Sequence, residues 1–147
     1  MLIKLGKYLR ILGFDTVWDS ALRTHELIKL ANAEDRVFLT RNSRLPHQYP
    51  VPLRVQRINS TDPVSQLREV VLAAGLDPNV ALFTKCIRCN VGLNAVQDRE
   101  SVRAAVHANV FDRFDEFYRC PHCQTVFWKG SHVRNTCRKL APVLETG

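Results

Sequence analysis

The chain contains no run of 18 or more apolar residues, which excludes a bilayer-spanning helix. Its N-terminus has no continuous apolar h-region and no small-residue cleavage site. Lys4, Lys7 and Arg10 interrupt the apolar pattern there, so it is not a secretory signal. A cytoplasmic protein with no membrane association is the expectation. No low-complexity segment and no long internal repeat is present. No cysteine occurs before residue 86. The basic excess has no tail either. Of the net charge of +7, residues 1–85 carry +4 and residues 86–147 carry +3. Such a diffuse excess suits a polyanion such as RNA or DNA, and equally a soluble basic protein without one.

What remains is 147 residues, 46% of them hydrophobic, enough for one ordinary domain or two small ones with a packed core. Leu2, Leu5, Leu9 and Leu12 stand at helical spacing, and Gly13 follows where a left-handed cap belongs. Phe14 to Trp18 reads as a short strand. Thr24 is placed to cap a helix over 25–33, with Leu27, Ile28, Leu30 and Ala31 in its buried stripe. Arg36 to Thr40 has the apolar run of a buried parallel strand. Residues 41–52, with three prolines and His47, form a loop, and Leu53 to Asn59 a further strand. Asp62-Pro63 starts a helix that buries Leu67, Val70, Val71 and Ala74 and stops at Gly75.

The order helix, strand, helix, strand, strand, helix predicts a three-layer α/β domain with a mostly parallel sheet over 1–78. The chain begins inside a helix with no preceding strand, as if its first strand were absent; a start of the gene product further upstream is one competing explanation. Ser101 to Ala108 reads as a short helix. Phe114–Arg119 and Thr125–Trp128 read as a hairpin. Residues 135–147 lack periodicity and read as a loose tail.

The five cysteines carry the strongest chemical signal. Cys86 and Cys89 form one C-x-x-C pair; Cys120 and Cys123 form another, 30 residues on. In an unsigned chain this means metal before disulfide. Each pair aims two thiolates at one centre, and two pairs make a closed tetrahedral site suited to structural Zn²⁺. The unit spans 79–134 as a small C-terminal zinc ribbon. His122 reads as a surface residue and Cys137 as a free cysteine.

Four stretches together resemble one family: K-L-G-K-Y-L-R-I-L-G-F-D at 4–15, R-V-F-L-T-R-N at 36–42, C-I-R-C-N at 86–90, and F-Y-R-C-P-H-C-Q-T-V-F-W-K-G-S-H at 117–132. They are similar to the Mut-seven C-terminal RNase domain family, over roughly residues 2–134. The resemblance implies a PIN-like nuclease domain joined to a zinc ribbon. It also implies carboxylates at the carboxyl ends of the parallel strands, holding Mg²⁺ or Mn²⁺ for cleavage of RNA.

The family's pattern is incomplete here. Its first strand, ending in Asp, would precede Met1. Its T-R-D reads Thr40-Arg41-Asn42, and its acidic run before the second helix leaves only Glu26. The candidate catalytic residues are therefore Asp19, Glu26 and Asn42. Asp19 caps a turn or binds metal, Glu26 compensates a helix dipole or binds metal, and Asp15 reads as a turn residue. Arg41 and Lys129 are the candidate RNA contacts, and His132 reads as structural. Two functions follow: a metal-dependent ribonuclease, or an RNA-binding module with a degenerate site. A protein-binding role for the ribbon is a third.

Overall fold

The computed structural model of the chain describes residues 2–44 and 50–145; His47 and much of its proline-rich loop lie outside them. The expected first helix is α1, Ile3–Ile11. Leu5, Leu9 and Leu12 of its stripe are buried, joined by Tyr8. Gly13 ends it at φ +91°, with Phe14 N–H bonded back to the Leu9 carbonyl at 3.0 Å. A side chain at Gly13 is excluded twice over. The φ is left-handed, and a Cβ would stand 2.2 Å from the Ala81 carbonyl oxygen.

The expected strand at Phe14–Trp18 does not form. These residues run without regular structure and pair with no strand among the described residues. Their apolar content is right for a strand, but a strand also needs a neighbouring edge. Here the backbone N–H and carbonyl of Thr16 bond to side chains instead.

Helix α2 is Thr24–Ala33, one residue longer than expected at its start. Thr24 is its first residue rather than its cap. The entry is fixed by Glu26, whose Oε2 accepts from the Arg23 backbone N–H at 2.7 Å. Ile28 and Ala31 are buried, and Leu27 and Leu30 are half-buried. Strands β1, Phe38–Thr40, and β2, Val55–Arg57, pair in parallel with Phe38 opposite Val55 and Thr40 opposite Arg57. The first unit is thus a mixed α/β arrangement whose parallel sheet has two strands, fewer than the three-layer expectation. Helix α3, Pro63–Ala74, follows the sequence closely. The Asp62 carboxylate caps it by accepting from Ser65 N–H at 2.9 Å, and Gly75 closes it at φ +62°. Leu67, Val70 and Val71 are buried, and Ala74 is exposed.

The cysteine-bearing region has a three-stranded antiparallel sheet: β3, Asn94–Ala95; β4, Tyr118–Arg119; and β5, Val126–Phe127. The last two are the expected hairpin. The helix expected at 101–108 is replaced by a 3-10 turn at Arg99–Val102 and by α4 at Ala108–Arg113. The His107 ring sets this boundary, because its Nδ1 accepts from the Asn109 N–H at 3.2 Å and so caps α4. Val102, Phe111 and Phe117 form a small core, with the Arg99 guanidinium 3.8 Å from the Phe111 ring centroid.

The loose tail is also corrected. Helices α5, Ser131–Lys139, and α6, Ala141–Leu144, order residues 131–144. Leu140 and Val143 have 0% exposure and join α1, α3 and Ile58 in the principal core. Two apolar residues three apart suffice to dock one turn, but they are too few to show a period among polar neighbours. Among the described residues no helix is long and apolar enough to cross a membrane.

Candidate metal centre

The two C-x-x-C turns fold alike. In the first, Asn90 N–H bonds to the Cys86 carbonyl at 2.9 Å and Cys86 N–H to the Val91 carbonyl at 2.9 Å. In the second, Gln124 N–H bonds to the Cys120 carbonyl at 2.9 Å and Cys120 N–H to the Thr125 carbonyl at 3.0 Å. The residue after each second cysteine is left-handed, Asn90 at φ +62° and Gln124 at φ +64°. Asn tolerates that region well and Gln less so, so closure of the second turn relies more on its surroundings.

These turns bring Cys86, Cys89, Cys120 and Cys123 together, with all four sulfurs within 4.8 Å of one another. The Cys86 and Cys123 sulfurs are 3.8 Å apart. A tetrahedron with Zn–S bonds of about 2.3 Å has edges of about 3.8 Å, so the quartet fits a zinc ion. Cys86 and Cys120 are fully buried, and Cys89 and Cys123 are half-buried. Burial pushes the Cys86 thiol up. Burial and then bonds to the other cysteines raise Cys89 to about 12. The Thr125 hydroxyl, 3.0 Å from the Cys123 sulfur, lowers that thiol to about 6. Crowded thiols cannot all ionise unaided. A dication in their midst stabilises all four thiolates at once. The donor set is closed, soft and all-sulfur, which suits a structural ion.

His122 Nδ1 lies 3.3 Å from the Cys89 sulfur, an outer contact on the quartet. Cys137 sits half-buried in α5, outside the group. His132 packs edge-on against Trp128, with ring centroids 5.9 Å apart.

The candidate catalytic residues are placed differently. Asp19, Glu26 and Asn42 are all exposed. Each spends an oxygen on local backbone: Asp19 Oδ1 accepts from Ala21 N–H at 2.9 Å, Glu26 Oε2 from Arg23, and Asn42 Oδ1 from Arg44 N–H at 3.0 Å. Among the described residues, the cysteine quartet is the one group of three or more Cys, His, Asp or Glu side chains that converges on a common point. Asp15 forms an ion pair with Arg36 at 3.0 Å, which, with Asn90, holds its carboxyl below the usual range. Arg41 and Asn42 line a broad open groove of about 1640 Å³ bounded by α1, α2, α3, residues 14–18 and the sheet. Lys129 follows β5, with its Nζ 5.9 Å from the Tyr118 ring centroid.

A profile of the Mut7-C RNAse domain matches residues 1–140. The chain belongs to the Mut7-C RNAse domain family. No curated protein and no solved structure matches it significantly. Membership in the Mut7-C family suggests a nuclease-like role and covers both the groove and the quartet.

Three polar residues of this Mut7-C chain escape sequence reasoning. Arg10 is 6% exposed, although nothing in the periodicity of α1 separates it from the exposed Lys4 and Lys7. Asn90 carries a faint signal, since an Asn directly after C-x-x-C suits a left-handed residue. Glu69 accepts from the Ser60 hydroxyl and the Asn59 and Ser60 N–H groups, which hold its carboxyl below the usual range. No local pattern announces that role.

Proposed function

We propose that this protein acts on RNA as a ribonuclease of PIN-like type, with the cysteine quartet holding a structural Zn²⁺ in a zinc ribbon. Family membership over residues 1–140 carries the reading. The net charge of +7 is compatible with a polyanion partner. Arg41, exposed at the groove, and Lys129 are its proposed phosphate contacts. A cytoplasmic setting keeps the thiols reduced.

Bound Mg²⁺ or Mn²⁺ would activate water and stabilise charge on the scissile phosphate. Such hard cations need several converging oxygens. Asp19, Glu26 and Asn42 are all exposed, and each gives an oxygen to a nearby backbone N–H instead. This specific observation favours a second reading, in which the chain binds RNA without cutting it.

Labelled single-stranded RNA, incubated with zinc-loaded protein with and without Mn²⁺, separates the two. Manganese-dependent cleavage lost in Asp19→Ala or Glu26→Ala supports the ribonuclease. Intact RNA bound with an affinity that falls steeply as salt rises supports the binding module.

A further inference from the structure

The groove wall at residues 14–18 pairs with no strand among the described residues, and three polar side chains reach it: Arg36, which pairs with Asp15, and Arg10 and Asn90. Thr16 donates its N–H to Asn90 Oδ1 at 3.0 Å, and its carbonyl accepts from Arg10 Nε at 2.8 Å. Asn90 Nδ2 donates to Asp15 Oδ1 at 2.6 Å. Arg10 also donates through Nη1 to the Ile87 carbonyl at 2.6 Å, and its guanidinium lies 3.6 Å from the Trp18 ring centroid. Ile87 and Asn90 both belong to the first cysteine turn. The contacts that reach the wall from the cysteine side therefore arise in the turn that wraps one side of the quartet.

We propose that this turn positions the groove wall. With metal bound, Asn90 and the Ile87 carbonyl hold residues 14–18 against α1, and loss of metal releases them. Arg10 and Asn90 are then positioning residues. The inference rests on the quartet holding a metal and is independent of RNA and of cleavage.

Two physical points carry it. The turn is short and only two backbone hydrogen bonds close it, so an ion shared by Cys86 and Cys89 would stiffen it substantially. Arg10 is almost withdrawn from water, so losing the Ile87 carbonyl leaves a buried charge short of acceptors. The guanidinium must then move toward solvent, away from Trp18 and the Thr16 carbonyl. Coupling of this kind is reciprocal, so weakening the clamp also weakens metal binding.

The test uses the full ¹⁵N-labelled chain, read at the Thr16 amide and the Trp18 indole N–H. Chelating the zinc should speed Thr16 amide exchange roughly fivefold or more, the factor that matches one hydrogen bond. The Trp18 indole resonance should move, while Val70 and Val71 in α3 stay protected. Asn90→Gly tolerates the left-handed φ but lacks the amide. Loaded with zinc, it should expose Thr16 similarly and bind zinc correspondingly more weakly.

Unchanged Thr16 exchange in zinc-loaded Asn90→Gly overturns the proposal, as does unchanged exchange on chelation. If chelation unfolds α3 as well, the zinc affinity of Asn90→Gly decides, and an affinity equal to that of the unaltered chain overturns the proposal. Reduced protein that takes up no zinc overturns the metal reading and this inference together. Zinc uptake without coupling overturns this inference alone.

Discussion

The two halves of the molecule reach order by different means. The principal core gathers buried side chains from α1, α3, Ile58 and the C-terminal residues Leu140 and Val143. Each fully buried leucine there contributes roughly 1.5–3 kcal/mol of transfer free energy. The cysteine region has three buried core residues, Val102, Phe111 and Phe117, and strands of two residues each. So small a core does not offset the chain entropy of its own loops. The difference teaches that the first half is held by burial, whereas the second has little burial of its own and, with the proposed zinc bound, would be held by a cross-link through four sulfurs.

Chelation, or Cys120→Ser, should break the comparison hardest. Structural zinc contributes an apparent 10–16 kcal/mol in small metal-folded units. Amide protection at Val102 and Phe111 should vanish while α3 retains its own, as hydrogen exchange can show. Equal protection in both halves without metal would erase the distinction.

Leu140→Ala tests the opposite side. A loose tail would not notice the change. A fully buried leucine in the principal core should cost about 2–5 kcal/mol, read as a lower denaturation midpoint, with zinc stoichiometry unchanged. Gly13→Ala combines left-handed strain with a clash against the Ala81 carbonyl, and should cost about 1–3 kcal/mol in the same assay.

Glu69 gives the smallest and most conditional effect. The Ser60 hydroxyl, followed by the Asn59 N–H, lowers its pKa in the folded state. Its contribution is therefore fully present above the ordinary value of 4.5 and is lost as pH falls through the lower folded value. Glu69→Gln should cost about 1 kcal/mol near neutrality, after allowance for solvent screening, and should flatten the loss of stability in acid. A denaturation series from neutral to acidic pH reads both. An unchanged acid slope would place the anchoring of residues 59–60 elsewhere.

Legibility follows the range of the forces involved. α3 is readable because its signals are local: Asp62 caps, Pro63 fits the first turn, and Gly75 stops it. The quartet is readable because thiolate spacing is itself chemistry. Phe14–Trp18 misleads, because the same apolar residues serve a strand or a groove wall, and only a neighbouring edge decides. Arg10 misleads similarly, since a cation on a helix reads as solvated until Trp18, Thr16 and Ile87 surround it. Asp19 and Glu26 read as candidate ligands, yet each meets a nearby backbone N–H first.

The sequence by itself determined the C-terminal end of α1, both ends of α3, the hairpin strands and the four sulfurs. All of these rest on contacts within a few residues or on the chemistry of one residue type. Only the tertiary structure decided that the C-terminal helices return to the principal core, that residues 14–18 stay unpaired, and that the first cysteine turn grips them. Those outcomes depend on groups as far apart as Thr16 and Asn90 or Val70 and Val143, whose meeting is a property of the packed chain and leaves no local trace.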